Sequence, residues 1–90
     1  MLTKLEETIR DRQTAAPADS YTASLFAKGS NKIAQKFGEE AVEVLIAAQS
    51  QTRERLIEET ADLMYHLSVL LVDKGVSWED VGDALSRRDR

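Results

Sequence analysis

Two long stretches of helix-compatible sequence, separated by a short polar break, constrain the fold of this chain most. The first is predicted to run from Ser30 to Ala48 and the second from Arg53 to Lys74, because apolar residues recur in both at spacings of three and four. The break at residues 50–52 fits a tight turn, with Thr52 as the N-cap of the second helix. Helices joined by so short a connection lie antiparallel, so the sequence predicts a helical hairpin.

The apolar positions of this hairpin predict which faces are buried. The inward face of the first helix is expected to carry Ile33, Phe37, Ala41, Val44 and Ala48. The inward face of the second helix is expected to carry Leu56, Thr60, Leu63, Leu67, Leu70 and Leu71. Val42 and Ile46 lie off the first stripe and indicate a second apolar face. We therefore expect a helical hairpin domain that forms a four-helix-bundle core as a homodimer.

The residues ahead of the hairpin are predicted to form two shorter helices. The first covers residues 2–14, where Thr3 and Glu6 have the spacing of a capping box. A linker over residues 15–20, which contains the only proline, separates it from a helix over residues 21–28. Ser20 is predicted to be the N-cap of this second helix, and Tyr21, Leu25 and Phe26 are predicted to face inward. Gly29 is expected to end the helix, and Ser30 is expected to be the N-cap of the next one.

One more helix is expected after the hairpin. Gly75 closes the hairpin, and Ser77 with Asp80 forms a capping box that opens a helix through about Ser86. The inward side of this last helix is predicted to carry Val81 and Leu85, and Trp78, directly after the Ser77 cap, is predicted to anchor the helix. No segment alternates polar and apolar residues for long enough to predict a strand, so the expected fold class is all-α.

Composition limits the kind of protein this chain can be. Its 90 residues fit one domain, residues 1–90. A content of 42% hydrophobic and 31% charged residues is typical of a globular chain. The absence of cysteine excludes disulfides and thiolate metal sites. A net charge of −4 disfavours nucleic acid as a partner. Because the apolar runs are too short for a bilayer and the N-terminus lacks a signal pattern, we expect a cytoplasmic protein with no membrane partner.

Two pairs of acidic residues indicate the chemistry of the hairpin. Glu40 and Glu43 are three residues apart on the first helix, and Glu59 and Asp62 are three apart on the second. Each pair therefore projects from one side of its helix, at the margin of the apolar face. An antiparallel hairpin brings the pairs together, which is costly without cations. Oxygen ligands suit magnesium (Mg2+), so these four residues are predicted metal ligands.

The arrangement resembles the all-α nucleoside-triphosphate pyrophosphohydrolases, the MazG-like group, whose signature is an ExxE pair followed by an ExxD pair. Within that group the chain is most similar to the phosphoribosyl-ATP pyrophosphohydrolase family of histidine biosynthesis. The similarity covers nearly all of the chain from Ser20 onward. It is carried by Ser20-Tyr21-Thr22, Leu25-Phe26, Lys28-Gly29, Lys32-Ile33-Ala34-Gln35-Lys36, Phe37-Gly38-Glu39-Glu40-Ala41-Val42-Glu43 and Glu59-Thr60-Ala61-Asp62-Leu63-Met64-Tyr65-His66.

This resemblance implies a hydrolase that cleaves the α–β phosphoanhydride of phosphoribosyl-ATP to phosphoribosyl-AMP and pyrophosphate, the second step of histidine biosynthesis. Some relatives are fused to the cyclohydrolase of the next step, and a chain of this length would be the stand-alone form. Magnesium would neutralise phosphate oxygens and activate a water molecule. Since four carboxylates are more than one ion needs, we expect two or more magnesium ions with bound substrate.

Other residues near the acidic pairs are predicted to act on the substrate. The predicted catalytic carboxylates are Glu39 and Glu43, and Glu39 is an extra ligand, the base for the attacking water, or simply an exposed glutamate. The predicted substrate-binding residues are Lys28, Lys32, Lys36 and His66. Lys36 shares a helix strip with Glu40, and a plain ion pair between these two is the alternative to phosphate binding. His66 is either a substrate contact or a satisfied histidine at the core margin.

Two other functions are compatible with the sequence. A general MazG-like pyrophosphatase would use the same acidic pairs to clear non-standard nucleotides. A helical dimer that serves as an interaction module would carry the acids as solvated surface and would not be an enzyme. Comparing hydrolysis of phosphoribosyl-ATP with that of dUTP distinguishes the first alternative, and the response of the melting temperature to magnesium distinguishes the second.

Overall fold

The computed structural model describes residues 1–50 and 52–88, and all regular structure in these residues is helical. The helices are α1 (Leu2–Arg12), α2 (Tyr21–Lys28), α3 (Ser30–Ser50), α4 (Arg53–Asp73) and α5 (Trp78–Arg88), with a short 3-10 helix at Pro17–Asp19. The predicted all-α fold class is confirmed. Gln51, which belongs to the predicted turn, lies outside the described residues. No described helix combines the length and the apolar character that crossing a membrane requires.

The predicted hairpin is formed by α3 and α4. These two helices pack against each other more extensively than any other pair in the described chain. Thr52 caps α4, as predicted, by accepting a hydrogen bond from the backbone N–H of Arg55 at 3.2 Å. At the opposite end, the Ser30 hydroxyl donates to the Asp73 carboxylate at 2.7 Å. Ser30 was predicted as an N-cap, but it is the first residue of α3 and uses its hydroxyl to set the register of the hairpin.

The buried core lies toward this open end of the hairpin, where α1 and α2 cover it. Its members are Ile9, Leu25, Ile33, Val69 and Val72, all at most 5% exposed. The predicted inward positions of Leu25 and Ile33 are therefore confirmed. Because α1, α2, α3 and α4 each contribute to this cluster, packing here fixes how the short helices sit against the hairpin.

The inward faces predicted for the hairpin are partly wrong. Thr60 and Ala48 are exposed, whereas Val69 and Val72 on α4 and Ala47 on α3 are buried. The leucines of the predicted α4 stripe are half-buried. The physical reason is that α4 packs against α1 as well as against α3, so its most buried face lies between those helices and the leucine stripe lies beside it.

Other local signals at the helix ends are confirmed. The Ser20 hydroxyl accepts a hydrogen bond from the Ala23 N–H at 2.9 Å and so caps α2. Gly29 ends α2 with a φ of 97°, in the region that favours glycine. Ser77 and Asp80 exchange both hydrogen bonds of a capping box at 3.0 Å each and open α5.

The capping box predicted for Thr3 and Glu6 is wrong. Helix α1 begins at Leu2, so Thr3 is already helical. Glu6 is buried, and its carboxylate accepts a hydrogen bond from the backbone N–H of Trp78 at 2.8 Å and another from the Arg10 side chain. A negative carboxylate at the first N–H of α5 is favourable there, because helix N-termini carry unpaired donors.

Trp78 anchors α5, as predicted, because its indole N–H also donates to the Ser68 hydroxyl on α4 at 2.8 Å. Val81 is half-buried, but Leu85 is 61% exposed, so its predicted inward position is wrong. Leu85 instead lines an open apolar groove between α1, α4 and α5. The other apolar residues of this groove include Met1, Leu2, Met64, Trp78 and Val81.

Candidate metal and substrate site

Three acidic side chains converge where α3 and α4 run side by side. One carboxylate oxygen from each of Glu40, Glu59 and Asp62 lies within 4.8 Å of the others. Glu59 is buried, Glu40 is half-buried and Asp62 is exposed, so the group extends from the helix interface to the surface. We call these three residues the acidic triad. The antiparallel packing brings Glu40 on α3 beside Glu59 and Asp62 on α4, as the spacing of the acidic pairs predicts.

Glu43, the fourth predicted ligand, is not one of the three residues in this group. It is exposed on α3, about one turn beyond Glu40, and its side chain lies along the same strip of the helix. Its roles as a metal ligand and as a catalytic carboxylate therefore stay predictions.

A positive side chain supports the buried member of the triad. Arg55 donates hydrogen bonds to the carboxylate of Glu59 and to that of Glu58, the latter at 3.0 Å. Both partners lie within one helical turn of Arg55 on α4. This ion pair offsets the charge of Glu59, whose side chain is only 9% exposed, and so lowers the cost of burying it. No role was predicted for Arg55, although its spacing of four residues from Glu59 is the signal that indicates this pair.

Lys36 lies one turn before Glu40 on α3, but its ion pair is with Glu39. The Lys36 ammonium and the Glu39 carboxylate are 3.2 Å apart, so the predicted alternative of a pair with Glu40 is wrong. The hydrogen bond to Glu39, and then the nearby Tyr21 hydroxyl, raises the pKa of Lys36 above its ordinary value. Lys36 therefore carries a positive charge beside the triad at neutral pH.

Glu39 is held by two donors on its own helix. The Gln35 amide donates to its carboxylate at 2.8 Å, and Lys36 pairs with its other oxygen. The hydrogen bond from Gln35, and then the one from Lys36, lowers the pKa of Glu39 below its ordinary value. The carboxylate is therefore a weaker base. Its predicted catalytic role stays a prediction, and in this structure the residue orients Lys36.

His66 lies one turn after Asp62 on α4 and is only 7% exposed. Its Nδ1 is 2.8 Å from the backbone carbonyl oxygen of Asp62, and its Nε2 is 3.1 Å from the hydroxyl of Tyr21. Both ring nitrogens therefore have protein partners, as in the predicted alternative of a satisfied histidine at the core margin. A direct contact between His66 and the substrate stays a prediction.

Tyr21, Tyr65 and His66 form an aromatic cluster beside the triad. The rings of Tyr21 and Tyr65 are stacked with centroids 6.2 Å apart, and His66 meets both edge-on. Tyr21 was predicted to face inward, but it is 50% exposed, with its hydroxyl bonded to His66. Tyr65 bonds to the hydroxyl of Thr22, and burial raises the pKa of Tyr65 above its ordinary value. The sequence analysis assigned no role to Thr22 or Tyr65, because their contact joins two helices far apart in the chain.

The other two predicted lysines precede Lys36 in the chain. Lys32 is half-buried on α3, one turn before Lys36, and Lys28 is exposed at the end of α2. The α3 strip thus changes from basic to acidic over about two turns, from Lys32 through Lys36 to Glu40. A ligand with a chain of phosphates would meet both parts of such a strip.

The fold and the site define this chain as an all-α protein with a carboxylate cluster set in a helical hairpin. The model of the phosphoribosyl-ATP pyrophosphohydrolase family matches residues 2–89. The chain belongs to that family, and the resemblance stated from its motifs is confirmed.

Its relatives include phosphoribosyl-ATP pyrophosphatases and a bifunctional protein of histidine biosynthesis. The chain is 53% identical over 89 residues to the phosphoribosyl-ATP pyrophosphatase of Gluconobacter oxydans, covering 99% of this chain and 67% of that protein. It is 51% identical over 88 residues to the phosphoribosyl-ATP pyrophosphatase of Zymomonas mobilis, covering 98% of this chain and 82% of that protein. It is also 51% identical over 89 residues to the histidine biosynthesis bifunctional protein HisIE of Vibrio cholerae, covering 99% of this chain but 42% of that protein.

Proposed function

We propose that this chain hydrolyses the α–β phosphoanhydride of phosphoribosyl-ATP, releasing phosphoribosyl-AMP and pyrophosphate, with Mg2+ as cofactor. The observation that carries this proposal is the convergence of Glu40, Glu59 and Asp62 in a chain of the phosphoribosyl-ATP pyrophosphohydrolase family. The names of the relatives supply the substrate, since they are phosphoribosyl-ATP pyrophosphatases. A biosynthetic role on a soluble nucleotide is also the basis for proposing a cytoplasmic location.

The donor set of the triad fits magnesium. Its carboxylates offer the hard oxygen ligands that Mg2+ takes, and the exposure of Asp62 leaves room for water and phosphate oxygens. We infer that Glu40, Glu59 and Asp62 hold the metal, with Glu43 as the fourth ligand. When bound, Mg2+ neutralises phosphate charge and makes a bound water more acidic. Four carboxylates exceed the one or two that a single Mg2+ usually takes, so two or more ions are expected with substrate.

The remaining polar residues bind and orient the substrate in this proposal. The ammonium of Lys36 has three N–H donors, of which one is used on Glu39, so others are available for phosphate oxygens. Lys32 and Lys28 extend the positive charge away from the triad and would meet phosphates further from it. His66 links α4 to the start of α2, because its ring contacts the Asp62 backbone carbonyl and the Tyr21 hydroxyl. Hydrogen bonds lower the pKa of Glu39, which disfavours it as the base, and Glu43 is proposed for that role.

A homodimer is part of the proposal. Apolar side chains near the turn of the hairpin are 43% to 60% exposed, namely Val42, Leu45, Ile46 and Ile57. A patch of this kind on a 90-residue chain is expected to be covered by another protein surface. A second hairpin packed on it by two-fold symmetry would complete the four-helix bundle expected from the sequence.

The substrate assignment is tested by comparing nucleotides. Pyrophosphate release is measured with phosphoribosyl-ATP, ATP and dUTP, each with and without Mg2+. We expect release from phosphoribosyl-ATP to require Mg2+ and to exceed release from the other two in kcat/KM by at least about a hundredfold. Faster hydrolysis of ATP or dUTP would replace the proposal with a general nucleotide pyrophosphatase. No hydrolysis of any of the three, together with no effect of Mg2+ on the melting temperature, would favour a non-enzymatic interaction module.

A further inference from the structure

Arg55 is held at both its backbone and its side chain near the start of α4. Its backbone N–H donates to the hydroxyl of Thr52, the N-cap residue, at 3.2 Å. Its guanidinium donates to the carboxylate of Glu58 at 3.0 Å and to that of Glu59 at 2.5 Å. Because the helix cap fixes the backbone and two carboxylates fix the side chain, the guanidinium has a defined place beside the acidic triad.

The two carboxylates that Arg55 bridges differ in their surroundings. The Glu58 side chain is 64% exposed, whereas the Glu59 side chain is 9% exposed and offers one oxygen to the acidic triad. An ionised carboxylate has about four lone-pair sites, so Glu59 can accept the Arg55 hydrogen bond and still offer an oxygen to a cation. Arg55 and a metal ion can therefore bind the same carboxylate.

Repulsion within the acidic triad acts on the direction of the Glu59 side chain. The oxygens that Glu40, Glu59 and Asp62 bring together lie within 4.8 Å of one another. Like charges at this separation favour rotamers that turn Glu59 away from the other two carboxylates. The Arg55 bond and the triad coexist in the structure, so the bonded position of Glu59 is also the one in which it meets the other two. The bond thus opposes a rotation that would open the triad.

The positive charge of Arg55 also repels a cation, and the two effects must be compared. The Arg55 side chain is 48% exposed and shares its charge with Glu58, so solvent and a second carboxylate weaken that repulsion. Loss of a hydrogen-bond partner of a metal ligand typically weakens metal binding about 10- to 100-fold. The orienting effect is therefore expected to exceed the repulsion.

We propose that Arg55 is a positioning residue, which holds the buried Glu59 carboxylate in the direction in which it binds a divalent cation together with the rest of the acidic triad. This inference rests on the proposed function, in which the triad binds Mg2+. Arg55 acts through Glu59 and is not itself a ligand. It therefore sets the concentration of Mg2+ that the protein requires, and not the rate of hydrolysis once Mg2+ is bound.

The test measures metal binding to the full chain without substrate, for wild type, Arg55→Met and Arg55→Lys. The probe is Mn2+, which favours the same oxygen ligands as Mg2+ and whose unbound ion is measured by electron paramagnetic resonance. We expect the dissociation constant for Mn2+ to rise about tenfold in Arg55→Met. A rise of about threefold is expected in Arg55→Lys, because lysine keeps the charge but lacks the planar fork that bridges two carboxylates.

Arg53→Met is the matched control, since Arg53 is an exposed arginine at the first position of α4. We expect its dissociation constant for Mn2+ to stay within about twofold of the wild-type value. Equal weakening by Arg53→Met and Arg55→Met would overturn the proposal, because the effect would then belong to the start of the helix in general. Binding by Arg55→Met as tight as in wild type, or tighter, would also overturn it, because the ion pair would then serve only the burial of Glu59.

Far-UV circular dichroism in the presence of a chelator shows whether each variant is folded before metal is added. If Arg55→Met is unfolded without metal, Arg55→Lys decides the question. A dissociation constant for Mn2+ that is unchanged in folded Arg55→Lys would then overturn the proposal.

Pyrophosphate release from phosphoribosyl-ATP provides a second readout. We expect the half-saturating Mg2+ concentration to rise about tenfold in Arg55→Met, with kcat at saturating Mg2+ within about threefold of wild type. A lower kcat with an unchanged Mg2+ requirement would overturn the proposal. Asp62→Asn separates the two levels of the account. If it binds Mn2+ as tightly as wild type, the proposed function fails, whereas weakened binding in Asp62→Asn beside unchanged binding in Arg55→Met rejects only the role of Arg55.

Discussion

The three residues of the acidic triad differ in how their charges are compensated. Glu59 is buried and pairs with Arg55, whereas Asp62 is exposed and lies close to two other carboxylates. Mutual repulsion among the three is expected to destabilise the metal-free protein at Asp62 more than at Glu59. Removing the negative charge should therefore affect the free energy of unfolding differently at the two positions.

We expect Asp62→Asn to leave the free energy of unfolding unchanged or raise it by up to about 0.5 kcal/mol without metal. Glu59→Gln should lower it by about 1–2 kcal/mol, because the buried side chain loses a charged hydrogen bond to the partly exposed Arg55. Urea unfolding in the presence of a chelator measures both values. A greater loss of stability in Asp62→Asn than in Glu59→Gln would contradict this account of the site.

At the scale of helices, the sequence predicted where the helices begin and end better than it predicted how they pack. Thr52, Ser20 and the Ser77–Asp80 box act on backbone groups three residues away, so their sequence spacing nearly determines their contacts. Glu6 has the same spacing from Thr3, but its partner is the N–H of Trp78, 72 residues away. Nothing in the local sequence distinguishes the two cases, since burial of Glu6 depends on where α5 docks.

The docking of α5 on α1 is predicted to depend on this buried carboxylate. Glu6→Ala leaves the first N–H of α5 without its acceptor and frees Arg10, so we expect a loss of about 2–3 kcal/mol in the free energy of unfolding. The fluorescence of Trp78, the only tryptophan, reports the transition during urea unfolding. Glu7→Ala, at an exposed neighbouring position, is the control and should change stability by less than about 0.5 kcal/mol. Equal effects at the two positions would contradict the assigned role of Glu6.

The capping box of α5 should make stability depend on pH. The hydrogen bond from the backbone N–H of Ser77 lowers the pKa of Asp80 below its ordinary value. A carboxyl group with a lower pKa in the folded state stabilises the fold above its unfolded-state pKa, and this contribution is lost as the pH falls through the folded-state pKa. The stability difference between wild type and Asp80→Ala should thus be constant near neutral pH and shrink in the acid range below the ordinary aspartate pKa. Urea unfolding over that range measures it, and a difference that grows on acidification would contradict the prediction.

For the molecule as a whole, the sequence predicted the hairpin, the helix order and the acidic residues that meet across it. It did not predict which face of α4 is most buried, because that depends on the packing of α1 beside α3. Nor did it predict the Tyr21–His66 contact, which joins residues 45 positions apart on different helices. Periodicity places a residue on a face of its own helix, while contacts between faces follow only from how the helices are arranged.

The exposed apolar patch near the hairpin turn predicts self-association. Leu45 is 60% exposed in the single chain, so Leu45→Glu would place a charge in the proposed dimer interface. We expect this substitution to shift the protein from dimer to monomer in sedimentation equilibrium, with an increase in the dissociation constant of at least about a hundredfold. Gln13→Glu adds the same charge at an exposed position of the linker after α1 and should leave the dimer intact. A wild-type protein that is monomeric at all concentrations would contradict the proposed dimer.

The most direct test of the central claim is pyrophosphate release from phosphoribosyl-ATP during a Mg2+ titration, for wild type, Asp62→Asn and Glu79→Gln. Glu79 is an exposed acid on α5, outside the acidic triad, and serves as the control. We predict Mg2+-dependent release by wild type and Glu79→Gln, and a loss of more than about a hundredfold in kcat/KM for Asp62→Asn, since removing a ligand weakens the metal site. Release by Asp62→Asn at the wild-type rate and the wild-type Mg2+ requirement would show that the acidic triad is not the metal site.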